Sequence, residues 1–151
     1  MPSDAATVPT VKIRRVIASP AQKIFDLWTR PELMARWMSP YPGAVQCDVE
    51  ADVRVGGTFR LSMSSADSQC EIEGTYVQIE RPNRLVFTWF GPPTQNANTL
   101  VTGELRALQT GTELTLTHEK LPTAEVRQGH TTGWEYMFDH LLVEVGQSQS
   151  R

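Results

Sequence analysis

Few of the residues that usually announce a chemistry are present in this chain. There are two cysteines, Cys47 and Cys70, which read as lying on non-adjacent strands, and the N-terminus lacks the basic start and apolar core of a signal peptide. Two reduced thiols in a cytoplasmic protein are expected, rather than a disulfide framework. Apolar runs stop well short of the roughly 20 residues that a membrane-spanning helix needs, so no membrane partner is expected. Positive charge is scarce and scattered: 14 Lys and Arg against 17 Asp and Glu leave a formal charge of −3. A nucleic-acid partner would call for a basic stripe, and none is present. The spacings HxxxH, HExxH and CxxC are missing, as is a G-x-S-x-G turn, so neither a metal site nor an activated serine is assigned. Gly56-Gly57 leads into a strand rather than a helix, which rules out a phosphate loop. No cofactor, metal or catalytic residue is expected.

What remains is ordinary globular material, 40% hydrophobic and 21% charged over 151 residues, enough for one sizeable core. No internal repeat or linker divides it. A single domain over residues 11–146 is expected, with a disordered N-terminal segment 1–10 and a flexible tail 147–151.

Val11 to Ala18 is rich in β-branched residues and reads as a strand. Ser19-Pro20-Ala21-Gln22 predicts a helix start, with Ser19 as cap and Gln22 completing a capping box. Ile24, Leu27 and Trp28 form the buried side of that helix. A second short helix begins at Pro31, buries Leu33, Met34 and Trp37, and stops at Ser39-Pro40 and Pro42-Gly43. Strands follow: Ala44 to Val53, then Thr58 to Ser65 after Gly56-Gly57, then Cys70 to Glu80 with a change of phase near Gly74 that suggests a bulge. Arg84 to Phe90 is apolar on both faces, as a central strand should be. Two more strands flank a turn at Gln109-Thr110-Gly111. From Thr123 to Val145, Val126, Trp134, Met137, Phe138, Leu141, Leu142 and Val145 recur at helical intervals, with His130 on the same stripe. Gly133 interrupts this helix, and close approach to the sheet is the expected reason. Strands that do not alternate with helices imply an α+β protein: a curved antiparallel sheet around a long C-terminal helix, with two short helices after the first strand.

Five segments, LWTRPELMARWMSP, DVRVGGTFRLSM, GTYVQIERPNRLVFTW, GTELTLTHEKLP and GWEYMFDHLL, together resemble the family named for activators of the ninety-kilodalton heat-shock chaperone's ATPase, within the START-like superfamily. The positions matching the family pattern are Trp37, Gly56, Gly57, Trp89, His118, Gly133 and Trp134. The resemblance runs from Val11 to Val145 and implies a helix-grip fold with an internal cavity for apolar or aromatic small molecules. It also implies a link to stress response, since family members include binders, drug-sequestering proteins, cyclases and chaperone partners.

The leading expectation is therefore a non-enzymatic binder of a small apolar or aromatic molecule, acting as a monomer or weak homodimer. Its cavity would be lined by Trp37, Phe59, Met63, Phe87, Trp89, His118, His130, Trp134 and Phe138. Trp89 and Trp134 are expected to face one another. An aromatic stripe at helical spacing is also what plain core looks like, and the two inward histidines are equally readable as satisfied core groups. Two alternatives remain: a module that stimulates a chaperone ATPase, and a cyclase or hydrolase using His118 or His130 as acid or base. The chaperone activators carry an additional N-terminal domain, for which nine leading residues leave no room.

Overall fold

The computed structural model describes residues 10–38, 44–65 and 69–149. Strict alternation builds the strands. In β7 (Gly111–Glu119), Thr112, Leu114, Leu116 and His118 are buried and the residues between them are not. The other strands are β1 (Val11–Ile17), β2 (Ala44–Ala51), β3 (Thr58–Ser65), β4 (Gln69–Glu80), β5 (Arg84–Trp89) and β6 (Thr99–Leu108). They form one antiparallel sheet ordered β1-β7-β6-β5-β4-β3-β2, so β2 to β7 meander and β1 returns beside β7. The helices are α1 (Ala21–Thr29), α2 (Pro31–Trp37) and α3 (Ala124–Gln149). This is the expected helix-grip arrangement.

α3 starts where Thr123 accepts a hydrogen bond from the Val126 amide, at 3.0 Å, and so satisfies one of the helix's free N–H groups. Its inward stripe is Val126, Trp134, Met137, Phe138, Leu141 and Val145, all buried. Complete burial of a side chain of this size is worth about 1.5–3 kcal/mol. Leu142 leaves the stripe: it is 39% exposed, because it lies one residue, about 100° of helical turn, beyond Leu141. The helix also continues to Gln149, beyond the Val145 limit of the apolar pattern. No helix among the described residues is long and apolar enough to cross a membrane.

Three local expectations need correction. α1 starts at Ala21 with Pro20 at the cap and no side-chain capping bond; Gln22 instead bonds to Asp26, 3.2 Å away, and the buried Ser19 hydroxyl has no partner. β2 stops at Ala51 rather than Val53. The register irregularity in β4 lies between Tyr76 and Gln78, opposite β5, so that Val77 turns outward and is 49% exposed. Gly74 is needed for a different reason, since a Cβ there would collide with the Thr88 carbonyl and the Phe59 ring. Ser39-Pro40 and Pro42-Gly43, and residues 1–9 of the N-terminal segment, lie outside the described residues, as do residues 150–151.

Candidate functional site

The α3 backbone runs nearest to β1 and α2. Between α3 and the inner face of β3–β5, large side chains bridge the distance and leave a cleft of about 350 Å³. Met63 of β3, Ile72 of β4 and Trp89 of β5 supply the sheet side. Pro93 supplies one edge, set by a single 3-10 turn, Pro92–Thr94, whose Thr94 hydroxyl is 2.8 Å from the Ala97 carbonyl. From α3 come Val126, His130, Trp134 and Met137, spaced by four, four and three residues and hence on one face, with Glu125 beside them. Gly129 and Gly133 also form part of this wall. A Cβ built on Gly129 would meet nothing within 4 Å, so the helix surface there is bare and opens onto space. Gly133 lies one helical turn further along the same wall.

Behind the cleft a buried polar chain fixes the two indoles. Trp89 and Trp134 have ring centroids 5.1 Å apart. The Trp134 indole N–H donates to His118 Nδ1 at 3.0 Å, and His118 Nε2 lies 2.8 Å from the Thr99 hydroxyl, which donates to the Trp89 carbonyl at 2.6 Å. An indole can only donate, so Nδ1 must carry the lone pair and Nε2 the proton. Thr99 has one proton and gives it to Trp89, so it must accept from Nε2. Each donor has one acceptor, and the ring is held neutral. Burial, and then the neighbouring His130, push the His118 pKa down to about 3. With both nitrogens committed, His118 has no free lone pair with which to take a proton from a substrate.

His130 stands edge-on to His118, with ring centroids 4.9 Å apart. Its Nδ1 lies 2.9 Å from the Val126 carbonyl, to which only an N–H can donate, so in the neutral ring Nε2 carries the lone pair. Its pKa is lowered by burial, and partly restored by that backbone bond.

A second, much smaller compartment of about 10 Å³ lies deeper, with Trp89 as the wall shared with the cleft. Trp28, Met34, Met38, Phe59, Tyr76 and Phe87 complete it. Three of these residues carry buried polar atoms without a partner: Trp28 Nε1, Tyr76 Oη and Trp89 Nε1. The Tyr76 phenol is pushed up by burial and then by Asp52, so it keeps its proton.

Of the residues expected to line a cavity, Met63, Trp89, His130 and Trp134 meet at the cleft. Phe59 and Phe87 border the small compartment and not the cleft. His118 stands behind the indoles. Trp37 and Phe138 are packed interior: Trp37 donates to the Leu27 carbonyl at 2.7 Å, and both rings contact Trp28. The sequence reading of the site omitted Val126 and Met137, though both lie on the stripe it used, and Ile72, Pro93, Glu125 and Gly129, for which loop path and helix rotation decide. Cys47 and Cys70 are free thiols on β2 and β4, each in register with Met63 of β3 between them. Burial and adjacent carboxylates raise both, Cys47 to about 11, so neither is a ready thiolate. Among the described residues no cluster of three or more His, Cys, Asp or Glu is placed to hold a metal ion.

The sequence profile of the family described as "Activator of Hsp90 ATPase homolog 1-like protein" matches residues 18–146. Among solved structures, a protein of Chromobacterium violaceum is similar, with a TM-score of 0.81 and 21% identity, over 91% of this chain and 96% of that one. A protein of unknown function from Staphylococcus aureus has a TM-score of 0.80 and 20% identity, over 94% and 96%. A protein of Nitrosomonas europaea has a TM-score of 0.77 and 22% identity, over 95% and 97%. At such identities the likeness is one of fold. No curated protein matches significantly.

Proposed function

This chain belongs to the Activator of Hsp90 ATPase homolog 1-like family, and from that premise we propose that it binds a small apolar or aromatic molecule in the cleft between the sheet and α3, to sequester, carry or sense it. The observation that carries this reading is the bare surface of α3 at Gly129, set into a mostly apolar wall. A helix optimised only for packing would place a side chain there. Here about 350 Å³ is left beside Trp89 and Trp134, at the low end of the range of small-molecule sites. His130 and Glu125 are the polar groups on this wall, suited to orienting a ligand. Acid-base chemistry at His118 is disfavoured, because both of its ring nitrogens are committed to hydrogen bonds within the protein.

Titration with a hydrophobic dye and a panel of aromatic compounds, read by tryptophan emission and by melting temperature, tests the reading. Saturable binding with altered indole emission is expected. A panel that moves neither signal would remove the basis for a binder.

A further inference from the structure

The polar side-chain atoms that the cleft offers to a ligand are all acceptors. Four residues of its wall carry polar side-chain atoms: the two indoles, His130 and Glu125. The Trp134 N–H is spent on His118, and the Trp89 N–H is sealed inside the protein. Glu125 is exposed, and a carboxylate can only accept. His130 holds its Nδ1–H against the Val126 carbonyl, 2.9 Å away and one turn back along α3. The two nitrogens of an imidazole point to opposite sides of the ring, so Nε2 is directed away from the helix backbone. Among the described residues that atom has no hydrogen-bond partner, and unlike the Trp89 nitrogen it is open to solvent. Both ring nitrogens of the adjacent His118 are committed elsewhere. His130 is half-buried on the cleft face of α3, between Val126 and Trp134, so the space left to Nε2 is that of the cleft.

So one-sided a wall selects by chemistry. No lysine or arginine lines the cleft and Glu125 stands beside it, so an anion would lose its hydration and meet a like charge. A cation would be set against hydrocarbon and a neutral imidazole, whose own protonation is already opposed by burial. Glu125 offers such a cation little, because an ion pair in contact with water adds little. A pure hydrocarbon would strip Nε2 of water and leave it unpaired. What fits is a neutral molecule with one donor. We infer that the cleft takes an uncharged aromatic alcohol of the phenol type, its ring beside Trp89 and Trp134 and its hydroxyl donating to His130 Nε2. This rests on the binder reading and adds to it a chemical class and an anchoring atom.

Four compounds on one ring system test it: 2-naphthol bears a donor, 2-methylnaphthalene no polar atom, 2-methoxynaphthalene an acceptor alone, and 2-naphthylmethylammonium a charged donor. Calorimetry on the full chain is expected to give 2-naphthol an affinity about tenfold above each of the others, the scale of one hydrogen bond made where water has been displaced. In protein carrying nitrogen-labelled histidine, the Nε2 signal of His130, assigned through His130→Phe, is expected to move upfield with 2-naphthol and not with the methyl or methoxy compound. His130→Phe keeps a flat ring on the wall but no acceptor, and is expected to bring the affinities for 2-naphthol and 2-methylnaphthalene together. Equal binding of 2-naphthol and 2-methylnaphthalene to the wild-type chain, with no upfield movement of Nε2, would overturn the phenol assignment while leaving the binder reading intact. Tighter binding of the ammonium compound than of 2-naphthol would overturn the choice of an uncharged ligand. If none of the four binds, both readings fail. The order of affinities in the wild-type chain decides the matter even if the substituted chain does not fold.

Discussion

At the scale of single residues, His118 shows how a side chain with every chemical credential is used as a structural joint. The indole of Trp134 fixes its tautomer and the Thr99 hydroxyl accepts a hydrogen bond from its Nε2–H, so removing either partner leaves a buried atom unpaired. Trp134→Phe keeps an aromatic ring on α3 but strands His118 Nδ1, and a loss of about 1–3 kcal/mol in urea unfolding is expected. Trp134→Ala adds a large void and should cost about 3–5 kcal/mol; if the alanine variant were no less stable than the phenylalanine one, the indole would not be packed as described. The same ring sets a pH dependence. With a folded pKa near 3 against an ordinary 6.5, both folded and unfolded states are neutral above pH 6.5 and the stabilisation is complete. As pH falls below that, the unfolded chain takes up a proton that the folded ring refuses, and stability declines by up to about 1.4 kcal/mol per pH unit toward pH 3. His130, also held low by burial, acts in the same direction. His118→Gln, which can still accept from Trp134 and donate to Thr99, is expected to flatten the decline between pH 6.5 and 5. Denaturation midpoints that fall equally in both proteins over that interval would refute the assignment.

At the scale of elements, α3 combines the needs of a core helix with those of a wall. Gly129→Ala places a methyl group where nothing lies within 4 Å, and helix propensity favours it, so a gain of roughly 0.5–1 kcal/mol is expected. Gly129→Leu should project into the cleft and weaken ligand binding while the fold persists, which a thermal melt alongside a titration would separate. Gly74→Ala is expected to destabilise, because its Cβ would meet the Thr88 carbonyl and the Phe59 ring. These contrasts also explain what could be read in advance. Periodicity fixed the seven strands, the three helices and the inward direction of His118 and His130, because those follow from repeats of 2 and 3.6 along the chain. It could not separate Trp37 and Phe138, which fill the interior, from Trp89 and Trp134, which border space, because both kinds are equally apolar and equally in phase. Ser19 and Gln22 match a capping pattern, yet Ser19 is buried instead. The shift in β4 was visible near Gly74 but belonged to Val77, since a strand's hydrophobic pattern does not state which neighbour it slips against.

For the whole molecule, a cleft that binds should register as stability. A ligand present at a hundred times its dissociation constant adds about 2.7 kcal/mol, a rise of roughly 5–10 °C in melting temperature at this chain length. Differential scanning fluorimetry would detect it, and a midpoint independent of the concentration of a compound known to bind would contradict a site confined to the folded state. The strand order has a further consequence, in time rather than space. β1 is made first and pairs only with β7, Val11 lying opposite His118. A chain growing from the ribosome must therefore hold its first strand unpaired until almost everything else has been synthesised. So distant a pairing is slow to find, placing this fold among those that form in milliseconds to seconds rather than microseconds. The joint at His118 and the wall of α3 come from the last third of the chain, so no early, partly folded form has a site to offer. If the cleft binds as proposed, its ligand selects chains whose sheet is already complete rather than templating it.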